Sequence, residues 1–530
     1  MQTKYHQDIL IIGAGSAGCV MANRLSADPQ RQVTVLEAGG TDRNLIVRMP
    51  SAFYLPVLHP RLNWGYTSEP EPNLGHRRLA CPRGRVLGGS SAINGMVYVR
   101  GHPEDFDRWE ALGASGWNYR SVLPYFKQAQ RFNGLNHADP FKGHEGPLGV
   151  TNGQMQNPLY SAFLEAAAQA GYPTNADLNN NVQEGFGALP MTVDKGIRAS
   201  TAHAYLRPAQ RRANLKVVTN STVTRLLFEG TRAIGAAVLH KGKQTEYYAD
   251  EVILSAGSIG SPHLLMLSGI GPHQTLTKHD IQILNDLPGV GQNLMDHLEI
   301  YVQNACRKPV SLYKNLGLFG RGKIGLQWLF NQTGLGATNH FEAGGFIKSD
   351  PTQTAPNIQF HFLPAAMQYD GTANAQQHGY QAHVGPMLSK SRGHISLRSA
   401  SPLDAPKITF NYMSHEQDWE VFRAAIRAAR KIFAQAAFDQ YRGDELRPGG
   451  DANDDDQLDQ FIRQHAESAY HPCGTCRMGE DNLAVVNSHA QVHGISALRV
   501  VDASIFPHIT NGNLNAPTIM VAERIAAALC

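Results

Sequence analysis

Residues 8–18 read Asp8-Ile-Leu-Ile-Ile-Gly13-Ala-Gly15-Ser-Ala-Gly18, and the fold turns on how this stretch is read. An apolar run of strand length meets three glycines spaced G-x-G-x-x-G, then a helical pattern begins through Val20, Ala22 and Leu25. Each glycine has its own task in such a turn: Gly13 permits the tight bend, Gly15 lets the backbone approach a pyrophosphate, and Gly18 lets helix and strand pack closely. The first helical N–H groups, at Ser16 and Ala17, have no partner inside the helix and face the phosphates. A second apolar run, Val33 to Leu36, ends at Glu37 and Ala38, about 20 residues past the glycines, where an acid meets a ribose hydroxyl. This pattern predicts a dinucleotide site without separating NAD from FAD.

Outward from that unit, Glu251–Ser255 (EVILS) and Leu498–Val501 (LRVV, leading into Asp502 and Ala503) read as further strands that open onto a ligand crevice. Residues 300–410 differ. Alternating stretches at Asn357–Phe362 and His394–Arg398 predict half-exposed antiparallel strands. A helix is expected from Glu416 to Phe433, with Trp419, Phe422, Ile426 and Ile432 on one face. The acidic, glycine-rich run Gly449–Asp456 reads as a solvated loop. The expected fold class is therefore α/β (α+β overall), a Rossmann-type nucleotide-binding domain with an inserted substrate domain on an antiparallel sheet. The cofactor domain is expected to use residues 1–155, 215–300 and 479–530, and the substrate domain 156–214 and 301–478.

Composition narrows the partners. With 47 Lys and Arg against 44 Asp and Glu, a net charge of +3 over 530 residues offers no basic stripe for nucleic acid. Six scattered cysteines make no disulfide framework and suit a reducing setting. Too few residues precede the first strand for a signal peptide, and the weakly charged stretch Leu254–Thr275 is broken by Gly, Ser, Pro and His. A cytoplasmic location is expected, with peripheral contact at the inner membrane left open. No metal site is expected, and Cys473-Gly-Thr-Cys476 follows His-Pro rather than opening a thioredoxin-like helix.

Two long segments carry a resemblance. Gly84-Arg-Val-Leu-Gly-Gly-Ser-Ser-Ala-Ile-Asn94, continuing to Asp107, and Gly257-Ser-Ile-Gly-Ser-Pro-His-Leu-Leu-Met-Leu-Ser-Gly-Ile-Gly271 resemble the two signatures of the glucose–methanol–choline family of FAD oxidoreductases. The likeness runs from about residue 8 to the C-terminus. In the second half, Cys306–Tyr313, Asn339–Ile347, Asn411–Trp419 and Tyr470–Gly479 are most similar to the choline-oxidising members; in the first half, Cys81–Val86 and Val99–Phe106 also resemble members acting on neutral alcohols.

The resemblance implies FAD, bound non-covalently because Ile93 stands where some members carry a flavin-linked histidine. It extends the cofactor set to Trp64, Leu87, Gly89, Asn94, Gly95, Met96, Val97, Val223, Asp502, Ala503, Ala516 and Pro517. It makes His471 the base and Asn515 the donor to the developing alkoxide; an imidazole with ordinary pKa ~6.5 suits proton transfer near neutrality. A small cationic alcohol is the substrate that the resemblance implies, and a quinone or other electron acceptor takes the electrons. A trimethylammonium head lacks a conventional hydrogen-bond donor and is best held by aromatic faces and a carboxylate, for which Trp64, Glu342 and Tyr470 are the candidates. The alternatives are a dehydrogenase or oxidase of neutral primary alcohols and a non-catalytic flavin-binding protein. Oligomeric state is not legible.

Overall fold

The computed structural model describes residues 5–134, 139–368 and 377–530. Two seven-stranded sheets organise them. The first has the order Leu215–Val218, Val33–Leu36, Tyr5–Ile12, Lys243–Leu254, Arg232–His240, Ser221–Glu229, with Leu498–Val500 also paired to Lys243–Leu254. Its pairings around Tyr5–Ile12 are parallel, whereas the strands from Ser221 to Leu254 pair antiparallel. The strand–glycine–helix unit expected at residues 8–25 is present, with the strand at Tyr5–Ile12 and the helix at Ser16–Leu25. Strand Tyr5–Ile12 is central and Ile9–Ile12 are buried, as a run covered on both faces requires.

The second sheet runs Arg442–Arg447, Leu298–Cys306, Gly379–Pro386, Ile358–Leu363, Ala343–Ile347, Gly185–Ala188, with Glu467–Ser468 also paired to Leu298–Cys306, and is antiparallel throughout. Here the half-exposed expectation fails, because every residue of Ile358–Leu363 is buried. The alternation survives but both faces are covered. Phe362 stacks on Phe163 of helix Pro158–Gln169 with ring centroids 4.4 Å apart, while His361 faces the cavity described below. The helix at Glu416–Phe433 lies over the same sheet, its buried face including Trp419, Phe422, Ile426 and Ile432. The acidic run is not all loop. Asp454 caps a helix over Asp455–His465, and Asp455 and Asp456 occupy its first turn, where carboxylates oppose the helix dipole favourably.

The chain ends are tied together beside the nucleotide unit. Helix Ser16–Leu25 packs on the C-terminal helix Asn515–Leu529, and Arg24 donates to both carboxylate oxygens of the buried Glu523, at 2.7 and 2.8 Å. Tyr205 adds a third hydrogen bond at 2.8 Å. A buried carboxylate with this fork of donors is compensated, and removing Arg24 alone would strand it.

Candidate active site

A cavity of about 680 Å³ lies between the two sheets. Its lining takes strand ends from the first sheet (Ile12, Leu36, Ser255), residues of the second (Glu299, Tyr301, His361, His383), and the segments Tyr470–Pro472 and Asn513–Asn515.

On the first-sheet side the wall is largely main chain. Helices Ser16–Leu25, Gly257–Leu267 and Asn515–Leu529 begin at this wall, and none has a side-chain cap. Away from the wall, helices Pro103–Ala111, Tyr119–Ala129, Pro158–Gln169, Glu416–Phe433 and Asp455–His465 are each capped by a side chain, while Leu318–Asn331 is not. Uncapped N-termini leave N–H groups for an anion. Glu37 reaches back into the turn, accepting from Ala14 N at 2.9 Å and Gly39 N at 2.7 Å, and burial pushes its carboxyl up to about 7.

Of the expected cofactor residues, Gly13, Gly15, Ser16, Ala17, Glu37, Ala38, Trp64, Gly89, Asn94, Gly95, Met96, Val97, Val223, Asp502 and Ala503 line the cavity. Gly18, Leu87, Ala516 and Pro517 do not. A Cβ on Gly18 would stand 1.9 Å from Gly13 O, so this glycine serves helix–strand packing as expected. Leu87 is buried with its N–H on Gly40 O at 3.0 Å, and Ala516 and Pro517 are buried inside the first turn of the C-terminal helix.

The reacting side centres on His471, whose tautomer follows from its neighbours. Asn513 Oδ1 accepts from Gln359 Nε2 at 3.2 Å and faces His361 Nε2 at 3.4 Å, which turns its NH₂ group toward His471 Nε2, 3.1 Å away. An NH₂ can only donate, so Nε2 of His471 is the bare acceptor and Nδ1 carries the proton. The other end of the chain agrees. His297 Nε2 lies 2.9 Å from Met387 O, which can only accept, so His297 Nδ1 is bare and receives the His471 Nδ1 proton across 3.0 Å. Burial, then the neighbouring imidazoles and Arg83, hold His471 well below the ordinary imidazole range, so it is neutral with a lone pair at Nε2. Buried Asp296 sets its main chain, accepting from His471 N at 2.6 Å and from His297 N at 2.9 Å. Tyr470, just before it, is held at φ +66°, and Met96 across the cavity at φ +62°. Non-glycine residues so placed store strain that the surroundings must offset.

Two expectations shift here. Asn515 lines the cavity, but its Oδ1 accepts from Ser16 Oγ at 2.8 Å, beside the glycine turn; Asn513, which sequence reasoning passed over, is the amide against His471. Glu342 lies outside the cavity lining. Its Oε1 accepts from Thr338 Oγ1 at 2.7 Å, its Oε2 accepts from Met155 N, and its stem packs under Gly153. Successive residues of extended chain point to opposite sides, and Phe341 takes the cavity side.

On the second-sheet side the carboxylate in the lining is Glu299, 3.3 Å from His383 Nδ1. Register pairs Tyr301 with His383 and His383 with His361, so the three form one row across adjacent strands. Tyr301 lies 3.9 Å from His383 between centroids, and the Phe341 ring meets His383 edge-on at 5.1 Å. Tyr470 and Trp64 line the same cavity; Trp64 stacks on Tyr66 at 5.8 Å and already carries the Arg85 guanidinium 4.8 Å from its ring centre.

Residues 7–299 and 389–522 match the two sequence profiles described as GMC oxidoreductase. The chain is 52% identical over 534 residues to an oxygen-dependent choline dehydrogenase of Photobacterium profundum, covering 100% of this chain and 93% of that one. The chain belongs to the GMC oxidoreductase family. A second curated relative, the oxygen-dependent choline dehydrogenase of Brucella anthropi, is 52% identical across 98% of this chain and 94% of its own. Among solved structures, pyridoxine 4-oxidase from Mesorbium loti is 32% identical with a TM-score of 0.89, covering 98% of this chain and 99% of that one. A variant of formate oxidase from Aspergillus oryzae is 25% identical with a TM-score of 0.92, covering 99% and 98%.

The cofactor of a GMC oxidoreductase is FAD, and the cavity fits it. Gly15 and Gly257 both line it, and a Cβ on Gly257 would meet nothing within 4 Å while one on Gly15 would meet only atoms at 4.0 Å. The room a side chain would take at these two helix starts is left to a ligand's phosphates. In this GMC oxidoreductase the cavity-side residues that sequence reading passed over are Asn513, Glu299, Tyr301, Phe341, His361 and His383, and His297, which the sequence suggests only as a structural histidine, is the partner of His471. One signal was available: Glu299 and Tyr301 follow Asn293–His297 at alternate positions of a strand, and so share a face.

Proposed function

We propose that this chain oxidises choline to betaine aldehyde with non-covalently held FAD. The observation that carries the reading is one cavity holding a neutral imidazole with its lone pair fixed at Nε2, an amide beside it, and Glu299 among the rings of Tyr301, Phe341 and Tyr470. His471 Nε2 takes the hydroxyl proton. Asn513 donates to the oxygen as it becomes an alkoxide, an interaction that strengthens as charge develops. Glu299 and the rings hold the trimethylammonium head, which needs a counter-charge and polarisable faces rather than hydrogen bonds. FAD, when bound, accepts the hydride from the carbinol carbon, leaving the aldehyde. Asn515, tied to Ser16, addresses the cofactor side. The names of the curated relatives support the substrate.

Mixing the oxidised holoenzyme anaerobically with choline, and separately with the neutral analogue 3,3-dimethylbutan-1-ol, tests this. Choline should bleach the flavin at far lower concentration; a preference for the neutral analogue would make the protein a neutral-alcohol dehydrogenase. Acid precipitation should release the yellow colour into solution, since Ile93 offers no atom for a flavin bond.

For the electrons we propose a quinone-type acceptor ahead of dioxygen, although the relatives' names specify oxygen. Support comes from the segment that exposes Leu45, Leu55 and Leu58 while its Phe53, Tyr54 and Val57 line the cavity. Peroxide formation in air at the dye-linked rate would overturn this. Among the described residues no helix is long and apolar enough to cross a membrane, so the membrane contact proposed below is peripheral.

A further inference from the structure

Helix Leu318–Asn331 has its apolar side outward. At 100° per residue, Leu318, Leu329, Leu326, Phe319 and Phe330 fall within an arc of about 120°, while Trp328 points the opposite way. Trp328 is the helix's buried residue and donates through Nε1 to Gly196 O at 2.7 Å. The outward side chains are open to solvent, Leu318 90% exposed, Phe319 98% and Phe330 78%, with Leu326 and Leu329 half-exposed. Lys323 stands about 20° beyond one edge of the arc and Arg321 about 60° beyond the other.

The surrounding sequence has one sign of charge. From Ile300 to Phe341 there is no Asp or Glu, but there are Arg307, Lys308, Lys314, Arg321 and Lys323. A second acid-free segment, Arg43 to Ser68, carries Arg43, Arg48 and Arg61 and exposes Leu45, Leu55 and Leu58. The two meet in space, because the turn Gly334–Ala337 after the exposed helix packs on the turn Pro50–Ala52. Among the described residues none of these cations is in an ion pair. Phe53, Tyr54 and Val57, on the second segment, line the active-site cavity.

We propose that this combined surface docks on an anionic phospholipid bilayer, with the exposed helix lying in the interface and its leucines and phenylalanines among the acyl chains. An apolar stripe edged by Lys and Arg is the form of an interfacial helix, since long cationic side chains reach phosphates while the stripe is immersed. A second copy of this chain fits poorly: a two-fold contact would set these two cationic, acid-free segments against themselves. Docking here brings the segment whose Phe53, Tyr54 and Val57 line the cavity to the lipid, where a lipid-soluble acceptor is found. The surface stands on its own chemistry and does not depend on the acceptor or on choline being the substrate.

The test uses the full-chain holoenzyme with phosphatidylcholine vesicles, pure or containing one-quarter phosphatidylglycerol, and follows the protein by co-sedimentation. Wild type should pellet with the anionic vesicles and stay in solution with the neutral ones, and about 0.5 M salt should release it. Arg321→Gln with Lys323→Gln should weaken partitioning roughly thirtyfold, as expected for two surface cations. Leu318→Ser with Phe319→Ser and Phe330→Ser should abolish binding, with dye-linked turnover in solution and the sedimentation coefficient unchanged. Wild type left in the supernatant with anionic vesicles, or a triple variant that still pellets, would overturn the proposal. So would a triple variant that dissociates a dimer, since a second copy would then be what covers the helix. Binding is scored on protein and not on turnover, so an inactive choline assay leaves this result interpretable.

Discussion

The wall of the cavity that faces the cofactor is made mostly of main chain, whereas the wall that faces the substrate is made of side chains drawn from segments far apart in sequence. On the first, glycines and bare helix starts do the recognition, and a single clash of backbone decides whether the cleft is open. On the second, Glu299, Tyr301, His361, His383, His471 and Asn513 meet only because two strand registers and two loops bring them together. Damage to the first wall should therefore empty the site, while damage to the second should leave it filled but impaired.

The largest effect should come from Gly89→Val. Gly89 sits at φ +52°, and a Cβ there would stand 2.6 Å from Gly15 Cα, so a β-branched residue is both strained and obstructed. The variant should purify colourless while far-ultraviolet circular dichroism stays native. Full flavin content would show that the main-chain wall is not the binding surface.

His471→Ala, on the other wall, should keep its flavin and lose roughly 10²–10⁴ in turnover, the range for a positioned base. Flavin reduction at near-normal rate in a single turnover would remove His471 from the chemistry. His297→Phe keeps the volume but removes the acceptor that holds the His471 proton on Nδ1, so kcat should fall by about ten- to a hundredfold with FAD content unchanged. A pH profile identical to wild type and an unchanged kcat would mean that the imidazole needs no such partner.

A smaller effect concerns stability. Burial lowers His297 and His361 to about 4, so the folded protein declines protons that the unfolded chain accepts below ~6.5. Stability is thus fully present above the unfolded value and is lost as pH falls toward 4, by roughly 1–2 kcal/mol per histidine at pH 5. The melting temperature should drop between pH 7 and pH 5, and less so in a His361→Gln variant. Equal drops in both proteins would place the pH dependence elsewhere.

The same contrast explains what was legible in the sequence. A main-chain wall depends on glycine spacing, so the turn at Gly13–Gly18 and Glu37 could be read directly, while the run through Gly89 to Val97 came with the family resemblance. Gly18 also kept its packing role. A side-chain wall depends on register, and no local pattern says that His383 pairs with both Tyr301 and His361. The Glu342 expectation missed for the same reason, whereas Asn515 does line the cavity and there accepts from Ser16. Glu342 is one residue from Phe341, which takes the cavity side, and in extended chain a one-residue offset reverses the side on which a side chain emerges. Exposure in Ile358–Leu363 was misjudged because alternation reports two different faces, not that one of them is wet.

The central claim is that Glu299, rather than Glu342, holds the cationic end of the substrate. It is tested most directly by kcat/KM for choline and for 3,3-dimethylbutan-1-ol in wild type, Glu299→Gln and Glu342→Gln. Loss of a partly desolvated ion pair costs a few kcal/mol. In Glu299→Gln the choline value should therefore fall by roughly ten- to a thousandfold, with the neutral analogue nearly unchanged, while Glu342→Gln should leave the ratio of the two substrates where it was. An unchanged ratio in Glu299→Gln, or a collapsed ratio in Glu342→Gln alone, would contradict the account.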